Sequence, residues 1–245
     1  IFAVNNLEYT APQVGRVTKG AAEALLGKAY LYQDKFSDAA TVLDNVINNG
    51  PYQLASSYET MFENEGENNV ESVFEVQYTD AEGAGFGCLQ CSEGNVAVGF
   101  NSIRNHTGPT YDSGYSFNVP TQEAVDSFED GDSRKEVSVL DIEAWAEQTG
   151  ATYGIGYEHT GYYNRKYIAR QGDQNIGDQN LTNPNNYRSI RFADVLLMAA
   201  EANNRGSIDD AKAQSYLNMV RTRAFGGDSN NVSASGSELT DAIYH

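Results

Sequence analysis

The sequence predicts a mainly α fold: an α/α scaffold of helical hairpins beside an irregular, loop-rich lobe containing short β-strands. Three observations lead there. Residues 16–51 and 188–224 each hold two consecutive runs whose apolar residues recur at helical spacing. Residues 79–187 are rich in Gly, Asn and Ser with scattered aromatics, the composition of a long ordered loop region. Only "ESVFEVQYT" and "GYYNRKYIA" have strand character. At 245 residues the chain can form one large domain or two small ones, and it can bury a substantial core.

The first hairpin sets Ala22, Leu25, Leu26, Ala29 and Tyr30 at helical spacing, then breaks at "QDK". A second amphipathic run follows with Phe36, Ala39, Ala40, Leu43, Val46 and Ile47. "NNGP" closes it, with Gly50 suited to a left-handed C-terminal position and Pro51 unable to continue a helix. In the 34-residue tetratricopeptide frame, Leu26, Gly27, Tyr30, Ala39 and Pro51 fall where Leu, Gly, Tyr, Ala and Pro are wanted. In "ESVFEVQYT", Phe74, Val76 and Tyr78 share one face of a half-buried strand. "VPTQEAVDSFEDGDSR" reads as a short helix N-capped by Thr121, with Ala124, Val125 and Phe128 inward. The second hairpin, opening at "RSIRFADVLLMAAEAN", is expected to bury Phe192, Val195, Leu196 and Ala199. Its second helix would bury Ala211, Tyr216 or Leu217, and Val220, with Gly206 in the turn.

Charge narrows the function. With 34 acidic and 16 basic residues the formal net charge is -18, and no Lys/Arg cluster offsets it, so nucleic acid is not an expected partner. No segment approaches the ~20 apolar residues of a spanning helix. Neutral polymers such as glycans meet no electrostatic penalty. Sixteen Tyr and abundant Asn offer rigid contact area and adaptable hydrogen bonds, although many of these tyrosines must fill cores and strands.

These pieces, in this order, resemble the SusD/RagB family. "GRVTKGAAEALLGKAYLY" (15–32), "ENNVESVFEVQY" (67–78), "VPTQEAVDSFEDGDSR" (119–134), "GYYNRKYI" (161–168), "NYRSIRFADVLLMAAEA" (186–202) and "LNMVRTRA" (217–224) carry the likeness. The resemblance implies a single, partial domain over 1–245, with tetratricopeptide-like hairpins at 16–51 and 188–224 and a ligand-binding lobe at 79–187. It also implies a non-catalytic, lipid-anchored protein on the outer face of a Gram-negative outer membrane. Such a protein captures nutrients, mostly glycans, for a SusC-like TonB-dependent transporter. The chain departs from the family in lacking the anchoring Cys and the helices that usually precede residue 1. It also stops where an Arg/Glu-rich helix normally follows, so it is expected to be a fragment. Peptide capture within the family, or a tetratricopeptide-like scaffold for protein partners, are the alternatives.

The candidate chemistry is weighed against that background. Asp194 and Glu201 lie seven residues apart on one helical face, with Arg191 one turn earlier. The pair could serve a hydrolase, but a rigid helix with bulky neighbours is a poor floor for a sugar ring, so Arg191, Asp194 and Glu201 are assigned to the scaffold. Cys88 and Cys91, flanked by glycines, are expected to form a small loop-closing disulfide rather than a redox or zinc site. "DSFEDGDSR" fails as a calcium loop because Phe128 and Val137 occupy ligand positions. No metal and no cofactor is expected. Two aromatic loops remain as candidate ligand contacts: Trp145, Tyr153, Tyr157 and Tyr163 in one, and Asn101, Arg104, Tyr111 and Tyr115 in the other. Aromatic planes would stack on the C–H faces of sugars while Asn and Arg bond hydroxyls. The competing reading of Trp145 is a helix residue packed inward with Ile142.

Overall fold

A computed structural model describes residues 1–173 and 176–245. In chain order these form α1 (Phe2–Asn6), α2 (Lys19–Leu31), α3 (Phe36–Asn49), β1 (Ser72–Val76), α4 (Val96–Asn101), β2 (Ile103–Arg104), β3 (Ser113–Gly114), α5 (Gln122–Asp126), α6 (Arg134–Ser138), β4 (Val139–Asp141), α7 (Ile142–Thr149), β5 (Tyr162–Asn164), β6 (Tyr187–Arg191), α8 (Phe192–Arg205), α9 (Asp210–Phe225) and α10 (Gly236–Tyr244). The fold is mainly helical, and the chain divides into two compact units. The first comprises Ile1–Ser56, Asn68–Val76 and Arg188–His245, and the second Ser57–Glu67 and Gln77–Tyr187.

The first unit is the helical scaffold. Thr18 caps α2 by accepting from the Ala21 N–H at 3.2 Å. α2 packs on α3, α3 on α8 and α8 on α9, with α10 against α8. α3 buries Ala39, Ala40, Leu43 and Val46, the face its spacing predicts. α2 does not. Its inward stripe is Gly20, Ala24, Gly27 and Leu31, while Leu25 is 61% exposed. The reason is close approach: a Cβ on Gly27 would sit 2.5 Å from Leu43 Cγ, so only the small-residue face admits α3. Ala22, Leu25, Leu26 and Ala29 instead line an open apolar groove of about 480 Å³ with Val17, Phe74 and Ile190.

Three further expectations are corrected here. Gly50 is extended (φ -74°, ψ 156°), not left-handed; its Cβ would lie 2.5 Å from the Val46 carbonyl, so the glycine serves a tight approach. In α9 the helix turns Ala213 inward and leaves Ala211 exposed. In β1, which pairs with β6, the buried residues are Val73 and Glu75 rather than the Phe74 and Val76 face. Glu75 can be buried because Arg188 faces it at 3.9 Å and the Asn68 N–H donates to it at 3.1 Å. Next to it, buried Glu71 accepts from the Arg223 guanidinium and, at 2.8 Å, from the Ala55 N–H. Removing either arginine would strand a buried carboxylate.

The second unit is built from short pieces. β2 pairs in parallel with β3, placing Arg104 opposite Gly114, and β4 pairs antiparallel with β5, placing Leu140 opposite Tyr163. The expected strand 161–169 stops at Asn164, whose side-chain oxygen accepts from the Lys166 and Tyr167 N–H groups and turns the chain. Ile103, Tyr111, Leu140, Ile142, Tyr163 and Ile168 form its core. α5 is capped by Thr121 as the sequence indicates, but only Val125 is buried from it. Much of the remaining order comes from buried asparagines. Asn185 donates to the Phe62 carbonyl and to Asn64 Oδ1, both at 2.9 Å, Asn95 donates to the Asn185 carbonyl at 2.9 Å, and Asn186 accepts from the Tyr78 N–H at 2.9 Å. Irregular backbone buried in this way needs such partners.

Candidate functional site

The second unit contains a cleft of about 330 Å³ lined by Arg104, Tyr115, Ser116, Phe117, Asn118, Val119, Tyr157 and Glu158. One wall is the segment 115–117. It is tied along its backbone to the end of α4: Ser116 N–H donates to the Ser102 carbonyl at 2.8 Å and Phe117 N–H to the Phe100 carbonyl at 2.9 Å. Tyr115 and Phe117 flank Ser116, whose backbone is left-handed (φ 56°), and their rings stack at 5.9 Å with a 23° interplanar angle. Phe100, on α4, meets both rings edge-on at 5.6 and 6.0 Å. Phe117 is 55% exposed. The cluster is therefore an aromatic platform braced from behind and open in front.

The second wall is the segment 153–158. Tyr157 is 89% exposed at the cleft. Its approach depends on Gly154, whose N–H donates to the Arg104 carbonyl at 2.7 Å, and on Gly156, where a methyl group would overlap Ser116 Oγ. Ser116, Asn118 and Glu158 all adopt left-handed backbone, with φ of 56°, 53° and 52°. Such residues cost about 1–3 kcal/mol each and gather where a fold holds a ligand-facing geometry.

The residues singled out from sequence therefore separate. Arg104, Tyr115 and Tyr157 line this cleft. Trp145 packs against the core of the unit, its ring 5.3 Å from Tyr111, with its indole N–H buried and without a hydrogen-bond partner. Tyr111 and Tyr163 are core residues at 3% and 0% exposure, and burial pushes the Tyr163 hydroxyl pKa up. Tyr153 is half-buried beside His159, and Asn101 is buried at the end of α4. Phe100, Ser116, Phe117, Asn118 and Glu158 were not singled out. Two aromatic residues within three, "YSF" at 115–117, are the signal that could have found Phe117.

Elsewhere, Cys88 and Cys91 are joined by a disulfide around a turn at Leu89–Cys91. Asp194 accepts from the Arg191 backbone N–H at 2.9 Å and from its guanidinium at 2.7 Å, fixing the start of α8. Glu201 accepts from Arg205 at 2.7 Å and from the Tyr244 hydroxyl at 3.0 Å. Both carboxylates are engaged in the scaffold. Among the described residues no group of three His, Cys, Asp or Glu is placed to hold a metal, and no helix is long and apolar enough to cross a membrane.

The SusD family model matches residues 143–245. The SusD-like protein P2 of Formosa agariphila is 28% identical over 223 residues, covering 84% of this chain and 41% of that protein. Among solved structures, a laminarin-binding SusD-like protein superposes with a TM-score of 0.86 at 35% identity, over 96% of this chain and 53% of its own. The surface glycan-binding protein A of Bacteroides thetaiotaomicron, solved with laminarihexaose, gives a TM-score of 0.86 at 25% identity, over 98% of this chain and 54% of its own. The chain thus spans about half the length of these relatives. Its sequence over residues 143–245 matches the SusD family model, and its fold over nearly the whole chain is similar to that of SusD-like proteins.

Proposed function

We propose that this chain belongs to a cell-surface glycan-capture protein whose cleft at Tyr115, Phe117 and Tyr157 binds a neutral, laminarin-type glucan. The platform of Tyr115 and Phe117 carries the reading. Two stacked rings braced on Phe100 present fixed apolar area at low entropic cost, matched to the C–H face of a sugar ring. Asn118 and Glu158 stand beside it as hydrogen-bonding groups for hydroxyls. The net charge of -18 favours an uncharged polymer over an acidic one. Relatives that bind laminarin and laminarihexaose support the choice of glucan.

Capture is reversible and non-catalytic in this account. Asp194 and Glu201, the carboxylate pair weighed as a hydrolase centre, are each committed to cations and caps of the first unit. Similarity to SusD-like proteins supports a lipid-anchored position on the outer face of a Gram-negative outer membrane, with delivery of the glycan to a SusC-like TonB-dependent transporter. Isothermal titration with laminarin, oligosaccharides from it, and a mixed peptide digest tests the reading. Binding of laminarin alone supports it; binding of peptides alone moves the protein to peptide capture, and binding of neither leaves a scaffold for protein partners.

A further inference from the structure

We propose that Arg104 is a positioning residue that locks the two aromatic walls of the cleft into one geometry, rather than a group that bonds the sugar. The proposal rests on the glycan reading above and deepens it. Arg104 stands on β2, a strand of two residues, and reaches both walls at once. Its Nη2 donates to the Tyr115 carbonyl at 2.7 Å and its Nε to Ser116 Oγ at 3.3 Å. Its own carbonyl accepts from the Gly154 N–H at 2.7 Å. One residue therefore joins the Tyr115–Phe117 wall through its side chain and the Tyr153–Tyr157 wall through its backbone.

Two further features converge on the same point. The Gly156 backbone crosses directly over the contact: a methyl there would overlap Ser116 Oγ and lie 3.5 Å from Arg104 Nε. Gly156 has no positive φ, so the glycine is required by proximity, not by conformation. Ser116, by contrast, holds a left-handed conformation (φ 56°) that a serine does not favour. The guanidinium bonds its hydroxyl and the carbonyl just before it, pinning that conformation. A planar fork with several donors spans both acceptors; a lysine offers one nitrogen and reaches only one of them. Without the fork the Tyr115–Phe117 wall keeps its backbone ties to α4 but loses its link to the strand that holds the other wall, and the left-handed turn at Ser116 must be ordered anew each time a glycan binds.

The test compares wild type, Arg104→Ala, Arg104→Lys and Gly156→Ala by calorimetric titration with laminarin. Fluorine NMR of fluorotyrosine-labelled protein, with Tyr115 and Tyr157 assigned by Tyr→Phe substitution, reads the walls directly. Arg104→Ala is expected to lower affinity by about tenfold or more, to shift or broaden both resonances, and to regain part of each on addition of millimolar guanidinium. Arg104→Lys should fall between, and it serves as the probe should Arg104→Ala fail to fold. Gly156→Ala should reproduce the loss with the charge intact. Unchanged resonances in Arg104→Ala overturn the proposal, whether affinity is kept or lost. In the second case Arg104 contacts sugar directly. If wild type binds no glycan, the glycan reading fails by itself, and the resonances still decide whether Arg104 orders the walls.

Discussion

Replacing Gly27 by Ala should destabilise the protein, although alanine is the better helix former. In a helix interior the exchange is worth about 1 kcal/mol in favour of Ala. The new methyl, however, would lie 2.5 and 2.6 Å from Leu43 Cγ and Cδ2, well inside the ~3.5–4.0 Å of a normal carbon contact. Overpacking of this kind costs typically about 1–3 kcal/mol. Leu43 is fully buried, so it has nowhere to retreat. The net expectation is a loss of up to about 2 kcal/mol. Leu43→Ala by itself opens a cavity at the same place and should cost about 3–5 kcal/mol. In that background the steric term vanishes and the methyl fills part of the void, so Gly27→Ala should now stabilise by about 1 kcal/mol. The sign reverses. Urea unfolding followed by far-ultraviolet circular dichroism on all four proteins gives the coupling, expected at about 1–3 kcal/mol. Additive effects, or a stabilising Gly27→Ala in both backgrounds, would refute close α2–α3 packing as the reason for the glycine.

Two other outcomes follow from the second unit. Trp145→Ala should lower stability by about 3 kcal/mol, as loss of a packed aromatic does, while protein that remains folded keeps its glycan affinity; thermal melts beside titrations separate the two. His106 is buried, and burial holds its pKa below the ordinary 6.5, partly offset by the Tyr111 backbone and the Asp112 charge. Below that value the unfolded chain takes up a proton more readily than the folded one. The contribution is thus complete above about pH 6.5 and is lost as pH falls toward the folded-state value. His106→Leu should flatten the melting temperature between pH 7 and 5 relative to wild type; an unchanged slope would remove His106 as its source.

The scaffold was legible because helical periodicity and small residues at fixed offsets are local signals. Phe192, Val195, Leu196 and Ala199 mark the buried side of α8 from spacing alone. In α2 the small residues Gly27 and, across from it, Ala39 were read correctly as points of close approach, but Ala22, Leu25 and Leu26 outweigh Gly20, Ala24 and Gly27 on any apolar scale and misassigned the buried face, because contact distance selects the side that meets α3. The cleft was legible only in part. Tyr111 and Tyr163 look like Tyr115 and Tyr157 in sequence, but pairing of β4 with β5 and closure around Ile103 bury the first two and leave Tyr157 outside. Asn101, the asparagine named as a sugar contact, is buried at the end of α4, and Asn95, Asn185 and Asn186 hold loop backbone. Such assignments depend on which distant segments meet, and no local pattern encodes that.

The central claim is that Tyr115 and Phe117 form the glycan platform, and laminarin affinity measured by calorimetry on wild type, Tyr115→Ala and Phe117→Ala tests it most directly. The account predicts measurable binding by wild type and a weakening of about two- to twelvefold for each ring removed, from roughly 0.5–1.5 kcal/mol per aromatic contact. No binding by wild type, or equal affinity in all three proteins, would contradict it.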